Sequence, residues 1–190
     1  MGVNLTKGSN VNLSKAAPGL QNVLVGLGWD ARTTTGADFD LDAKVLLVDA
    51  TGKALSDKHL VFYNNLESPD GSVKHLGDNL TGAGDGDDEQ IKVNLAGVPA
   101  ECDVLKVFVD IYEGESRGQN FGQVRNAFIR IVNADDNTEL GRYDLSEDAS
   151  TETAMVFGEL YRNGGEWKFR AVGQGYSTGI TGILQDAGIA

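Results

Sequence analysis

Carboxylates, rather than histidines or thiols, are the side chains of this chain whose spacing suggests chemistry. The segment Gly77–Glu89, GDNLTGAGDGDDE, holds Asp78, Asn79, Asp85, Asp87, Asp88 and Glu89 and contains no cation. Five carboxylates so close together repel one another, and a folded loop relieves that by protonation, by solvent or by a bound cation. Gly82, Gly84 and Gly86 let the backbone turn through positive φ. Hard oxygen donors on a Gly-bearing loop are what Ca²⁺ coordination uses, with about six to eight oxygens from carboxylates, amides and backbone carbonyls.

A second acidic cluster begins at Trp29-Asp30 and continues as Asp38, Asp40 and Asp42, alternating with Phe39 and Leu41. A strand places those three carboxylates on one face, which is unfavourable unless something neutralises them. With the Asp38 end beside the Gly77 loop, the two clusters build a cage for one ion, or for two sharing a bridging carboxylate. The spacing is not that of an EF-hand, since Ala43 stands where Gly is needed and Asp49 where a bidentate Glu belongs. The competing reading, solvated acids on an acidic surface, suits scattered carboxylates better than a Gly-Asp loop beside a strand of alternating Asp.

Other chemistries find little support. His59 and His75 are the only histidines, sit in no zinc spacing, and read as ordinary strand residues. The single Cys102 builds neither a disulfide nor a thiolate site and points to a reducing compartment. Gly82–Gly86 is followed by no Lys-Ser/Thr pair, so it is not a P-loop, and no GxSxG marks a nucleophile elbow. Paired carboxylates can hydrolyse glycosides, but two Trp and five Tyr, thinly spread, are a poor sugar-stacking surface.

The elements that must position these acids read as all-β. Short β-branched runs are punctuated by 25 Gly, as in a domain of many turns. About ten strands are expected, over Asn22–Trp29, Phe39–Val48, His59–Tyr63, Val73–Leu76, Gln90–Leu95, Val104–Tyr112, Ala127–Val132, Glu139–Leu145, Ala154–Tyr161 and Glu166–Val172. Short helical turns are expected at Val98–Glu101, Gln119–Gln123 and Ser177–Ala187. The alternating faces are buried most simply by a two-sheet β-sandwich with a few short helices. AKVLLVDA (Ala43–Ala50) lines up with AFIRIVNA (Ala127–Ala134), LVFYNN with MVFGEL, and DGSVK with GGEWK, in order. This faint repeat suggests two related halves, about 1–97 and 98–190, within one domain spanning 1–190. The second half lacks the carboxylates, which places the metal mainly on the first.

With 190 residues and 50 Leu, Ile, Val and Phe, the chain is apolar enough for a core, while no apolar run approaches the ~20 residues of a membrane helix. There are 28 Asp and Glu against 16 Lys and Arg, for a net charge of −12. Such a surface repels nucleic acid and anionic lipid and suits cations. The first residues, MGVNLTKGSN, contain no secretory h-region.

The acidic loop Gly77–Glu89, together with GWD (Gly28–Asp30), DFDLDA (Asp38–Ala43), the opening VNLTKGSNVNLSK, IYEG (Ile111–Gly114) and AMVFGELYR (Ala154–Arg162), resembles the TerD family of tellurium-resistance and stress proteins over the whole chain. The resemblance implies a cytoplasmic bacterial β-sandwich that binds Ca²⁺, usually two ions, with no established enzymatic activity. It further implies a place in a tellurite-resistance and stress complex whose protein partners include an integral membrane protein, without membrane insertion by this chain. Carried over residue by residue, it gives ligand roles to Asp30, Asp38, Asp40, Asp78, Asn79, Asp85, Asp87, Asp88 and Glu89. Backbone carbonyls near Leu80 and Gly86 join them, with Asp42 and Glu113 in second rank. The expected role is a Ca²⁺-dependent sensor or scaffold. The rival is a Ca²⁺-dependent enzyme or a direct handler of tellurite.

Overall fold

Alternation of β-branched and polar residues builds twelve strands among the described residues, 2–145 and 151–189 of a computed structural model. They are β1 (Val3–Leu5), β2 (Asn10–Asn12), β3 (Asn22–Gly28), β4 (Leu41–Val48), β5 (Leu60–Val61), β6 (Val73–His75), β7 (Glu89–Asn94), β8 (Val104–Ile111), β9 (Phe128–Asn133), β10 (Thr138–Asp144), β11 (Ala154–Asn163) and β12 (Glu166–Tyr176). Two helices, α1 (Leu13–Ala16) and α2 (Ile180–Asp186), are short. One sheet runs β1-β10-β9-β3-β7-β6 and the other β2-β12-β11-β8-β4-β5. Every pairing is antiparallel except β1 with β10. This is the expected two-sheet sandwich.

Inward residues of both sheets, among them Leu27, Leu41, Val45, Ile129 and Phe157, form one core between the layers. A smaller cluster lies on the outer face of the second sheet. There Leu46, Val48, Phe108 and Val156 pack against Ile183 and Ala187, which follow from α2. β4 is therefore covered on both faces, and all eight of its residues are buried. Phe39, Leu41, Ala43 and Val45 enter the main core as their alternation requires. Asp42 and Lys44, on the other face, are buried as well.

Several boundaries differ from expectation. β1, β2 and α1 were not expected; three-residue edge strands carry too little pattern to read. The turn expected at Val98–Glu101 is not helical: a 3₁₀ turn occupies Leu95–Gly97 instead, and the amide of Cys102 closes a turn on the carbonyl of Pro99. His59 closes a 3₁₀ turn over Asp57–His59 rather than opening β5. β4 and β9, which the faint repeat aligns, lie in opposite sheets, each paired with a strand of the other half (β8 and β3). The next aligned pair departs from this, since β5 has two residues and β11 ten. Residues 146–150, in the second of the expected halves, lie outside the described residues. Among the described residues no helix is long and apolar enough to cross a membrane.

Candidate metal centre

The acidic loop leaves β6 at His75 and re-enters the same sheet at β7, so both its ends are anchored. The amide of Asp88 donates to the carbonyl of Leu27, and Leu27 pairs in register with Glu89. Within the loop, Asn79 Oδ1 accepts from the amides of Thr81 and Gly82 at 3.1 Å each. Gly82 has φ +68, and a Cβ there would collide with the Trp29 indole. Further along, Gly26 of β3 lies beneath the Asp87 carboxylate, where a Cβ has no room. Glycine at these two positions lets the loop lie flat on the sandwich.

Glu89 links the sheets. β5 covers β4 only at Val45 and Leu46, which leaves the edge of β4 near Ala43 without a partner strand. Glu89 Oε2 accepts the Ala43 amide at 2.7 Å and lies 3.6 Å from His75 Nε2. This seats the first residue of β7 against the Asp40–Asp42 segment. Burial pushes the Glu89 carboxyl up, against hydrogen bonds from His75 and Ala43 that hold it down.

Three carboxylates converge beside it. Oxygens of Asp40, Asp42 and Asp78 all lie within 4.8 Å of one another. Asp40 and Asp42 are 8% and 3% exposed, and Asp78 is exposed, giving the cluster one open side. Asp40 Oδ1 and Asp42 Oδ2 are buried with no hydrogen-bond partner. Lys44 Nζ stands 3.5 Å from Asp42 Oδ2 and pairs more closely with Asp110, and the charges of Arg117 and Lys44 act on Asp40. Burial and the charge of Asp78 push Asp40 up to about 6. Burial pushes Asp42 up to about 7 even with Lys44 beside it. Two ionised carboxylates 4.8 Å apart repel by about 3 kcal/mol at an effective dielectric constant of about 20. Orphaned buried oxygens, mutual repulsion and an all-oxygen donor set fit a hard divalent cation. Asp40, Asp42 and Asp78 would hold it.

The remaining expected ligands are dispersed. Asp88 Oδ2 accepts the Trp29 amide at 2.9 Å, and its Oδ1 accepts from Asn79 Nδ2. Burial raises its carboxyl, with the charges of Asp87 and Asp30 adding to this. Asp30 is exposed and accepts from Asn126 Nδ2 at 2.7 Å. Asp38, Asp85, Gly86 and Leu80 are exposed, Leu80 by 58%. The Asp38 carbonyl accepts from Gln119 Nε2. Asp87 is gripped by Arg130 through Nε at 2.7 Å and Nη2 at 2.9 Å, and its side chain is 1% exposed. Its charge is already matched. Glu113 holds Arg117 at 3.0 Å.

Asp42 thus enters the cage ahead of Asp38. His75, read from the sequence as an ordinary strand residue, belongs to its surroundings, as do Lys44 and Asp110, which the sequence did not single out. The alternation of Val73 and His75 about Lys74 was the available signal that His75 points inward. Cys102 is fully buried, and burial pushes its thiol up to about 12.

A family model described as the TerD domain matches residues 1–186. Over all of this chain and 98% of the relative, identity is 61% to the tellurium resistance protein TerD of Serratia marcescens. Identity is 56%, with the same coverage, to general stress protein 16U of Bacillus subtilis (strain 168). The crystal structure of a homologue of telluride resistance protein (TerD) from Streptomyces coelicolor A3(2) aligns with a TM-score of 0.69 at 25% identity. That alignment covers 83% of this chain and 91% of the other.

Proposed function

The chain belongs to the TerD family of tellurium-resistance and stress proteins, and on that premise we propose that it is a non-enzymatic calcium-binding module, a Ca²⁺-dependent sensor or scaffold of a cytoplasmic stress response. The observation behind the proposal is the pair of buried oxygens that no hydrogen bond satisfies, Asp40 Oδ1 and Asp42 Oδ2, converging with Asp78. An ion there supplies positive charge to carboxylates that otherwise repel. Asp40 and Asp42 come from the rigid lead-in and start of β4, and Asp78 from the loop, so one ion ties the loop to the sandwich. A second ion, as the family resemblance implies, would draw on Asp85 and Asp88 of the loop and Asp30 outside it, which do not converge as Asp40, Asp42 and Asp78 do. Two Ca²⁺ take the formal charge from −12 to −8. Ordering a loop in this way completes a docking surface for protein partners, an integral membrane protein of the complex among them.

The rival, direct chemistry on tellurite, needs a soft nucleophile. A fully buried thiol held up near 12 is protonated at neutral pH and cut off from solvent.

The test is a calorimetric titration of chelator-stripped protein with Ca²⁺ in excess Mg²⁺, with Asp40→Asn and Asp78→Ala alongside. Saturable binding of one or two ions, weakened at least about tenfold in each variant, supports the reading. Weak heats indifferent to both substitutions overturn it.

A further inference from the structure

Beside the acidic loop lies a pocket of opposite character. Its volume is about 240 Å³, and Asp30, Arg32, Thr34, Phe39, Arg117 and Arg125 line it. The chain has seven arginines and a net charge of −12, yet three of the seven meet at this one cavity. Like charges gather against repulsion, and here the fold holds them in place. The Arg32 guanidinium lies over the Phe39 ring, 5.1 Å from its centroid. Its Nε donates to Thr34 Oγ1 and its Nη1 to the Ala37 carbonyl, each at 3.0 Å. Arg32 is therefore fixed in orientation, with Nη2 left over. Arg117 stacks on Tyr112 and gives Nε and Nη2 to the single oxygen Glu113 Oε2, leaving Nη1. Arg125 is exposed, and among the described residues its guanidinium has no hydrogen bond or ion pair. Its carbonyl accepts the Asp30 amide at 2.9 Å, which joins two walls of the pocket. Asp30 is the one acid on the lining, and Asn126 already donates to its carboxylate.

From this we infer that the pocket formed by Arg32, Arg117 and Arg125 is a binding site for a small oxyanion of the phosphate type. Guanidinium groups present planar N–H forks that match two oxygens of such an anion at once, and a hydroxyl such as Thr34 adds a further contact. Three guanidiniums against the carboxylates of Asp30 and Glu113 leave a surplus of one positive charge, with Nη2 of Arg32, Nη1 of Arg117 and the whole Arg125 fork still free to donate to an anion. The size of the cavity suits such an anion. It has room for inorganic phosphate or a small phosphate monoester. Pre-positioning of Arg32 by Thr34, Ala37 and Phe39 removes part of the ordering cost of binding. The inference stands apart from the calcium reading, since Arg32, Arg117 and Arg125 are not among the residues that would hold the ion.

The test is a titration of the full chain with inorganic phosphate, sulfate and chloride at constant ionic strength, with chelator present throughout. The arginine Nε–Hε NMR signals report binding. Saturable shifts of the Arg32 and Arg125 signals are expected with phosphate and sulfate, and none that saturates with chloride. Arg125→Gln, an exposed position, is expected to keep its melting temperature and bind phosphate about tenfold more weakly. Lys15→Gln, which removes one charge at an exposed position of α1, is expected to bind as the wild type does. Equal responses to phosphate and chloride, or equal weakening in Lys15→Gln and Arg125→Gln, would reduce the effect to general screening and overturn the site. Phosphate binding lost in Arg125→Gln while Ca²⁺ fails to bind would leave this inference standing without the calcium reading.

Discussion

Asp42→Asn should make the calcium-free protein more stable. Asp42 is 3% exposed, and burial pushes its carboxyl up to about 7 from an ordinary 3.8. The sign follows from which state holds the proton. A carboxyl with a raised folded value binds its proton more tightly in the folded chain, so it lowers stability above that value. The penalty fades as pH falls toward the unfolded value. With folded and unfolded values near 7 and 3.8, the full penalty above pH 7 is about 4 kcal/mol, falling below about 1 kcal/mol at pH 4. Asn is neutral and of the same shape, but its amide brings two donors into a buried position. The expected net gain at pH 8 is therefore about 2 kcal/mol. Urea denaturation in chelator is the assay. With a slope near 2 kcal/mol per molar, the midpoint should rise by about 1 M at pH 8 and fall by about 0.5 M at pH 4, where little penalty is left to offset the cost of the amide. Saturating Ca²⁺ should then stabilise the wild type and leave the variant unmoved. A loss of stability that is the same at both pH values would refute the reasoning. It would make Asp42 a structural partner of Lys44 rather than a repelled carboxylate awaiting a cation.

Three further outcomes follow from the same geometry. Arg130→Ala strips the Asp87 carboxylate, 1% exposed, of its bidentate partner. It should cost about 3–5 kcal/mol in chemical denaturation, against under about 1 kcal/mol for Arg142→Ala, whose partner Asp144 is exposed. Gly82→Ala places a methyl group against the Trp29 indole at φ +68 and should lower the melting temperature and Ca²⁺ affinity together. Cys102, buried with its thiol up near 12, should resist alkylation in the native state at pH 8 and react once unfolded; rapid native labelling would show that β8 opens there.

The inner face of β4 was legible because Phe39, Leu41, Ala43 and Val45 alternate against one core. Burial of its other face was not, because α2 and the second core cover Leu46 and Val48 from more than a hundred residues away in sequence. For the same reason Asp42 ranked behind Asp38: only the folded arrangement shows which end of the acidic strand meets Asp78. Asp87 looked like a free ligand in a run of acids, and the residue that neutralises it, Arg130, lies in β9, across β3 from the start of β7. β1 and β2 exist through pairing with β10 and β12, not through any pattern of their own. The acidic loop itself was readable because its glycines and carboxylates are local.

A crystal structure of the calcium-soaked protein with the anomalous signal recorded tests the central claim most directly. The account predicts an anomalous peak among Asp40, Asp42 and Asp78, about 2.3–2.6 Å from Asp40 Oδ1 and Asp42 Oδ2. A peak elsewhere with those two oxygens still unpartnered, or no peak at saturating calcium, would contradict it.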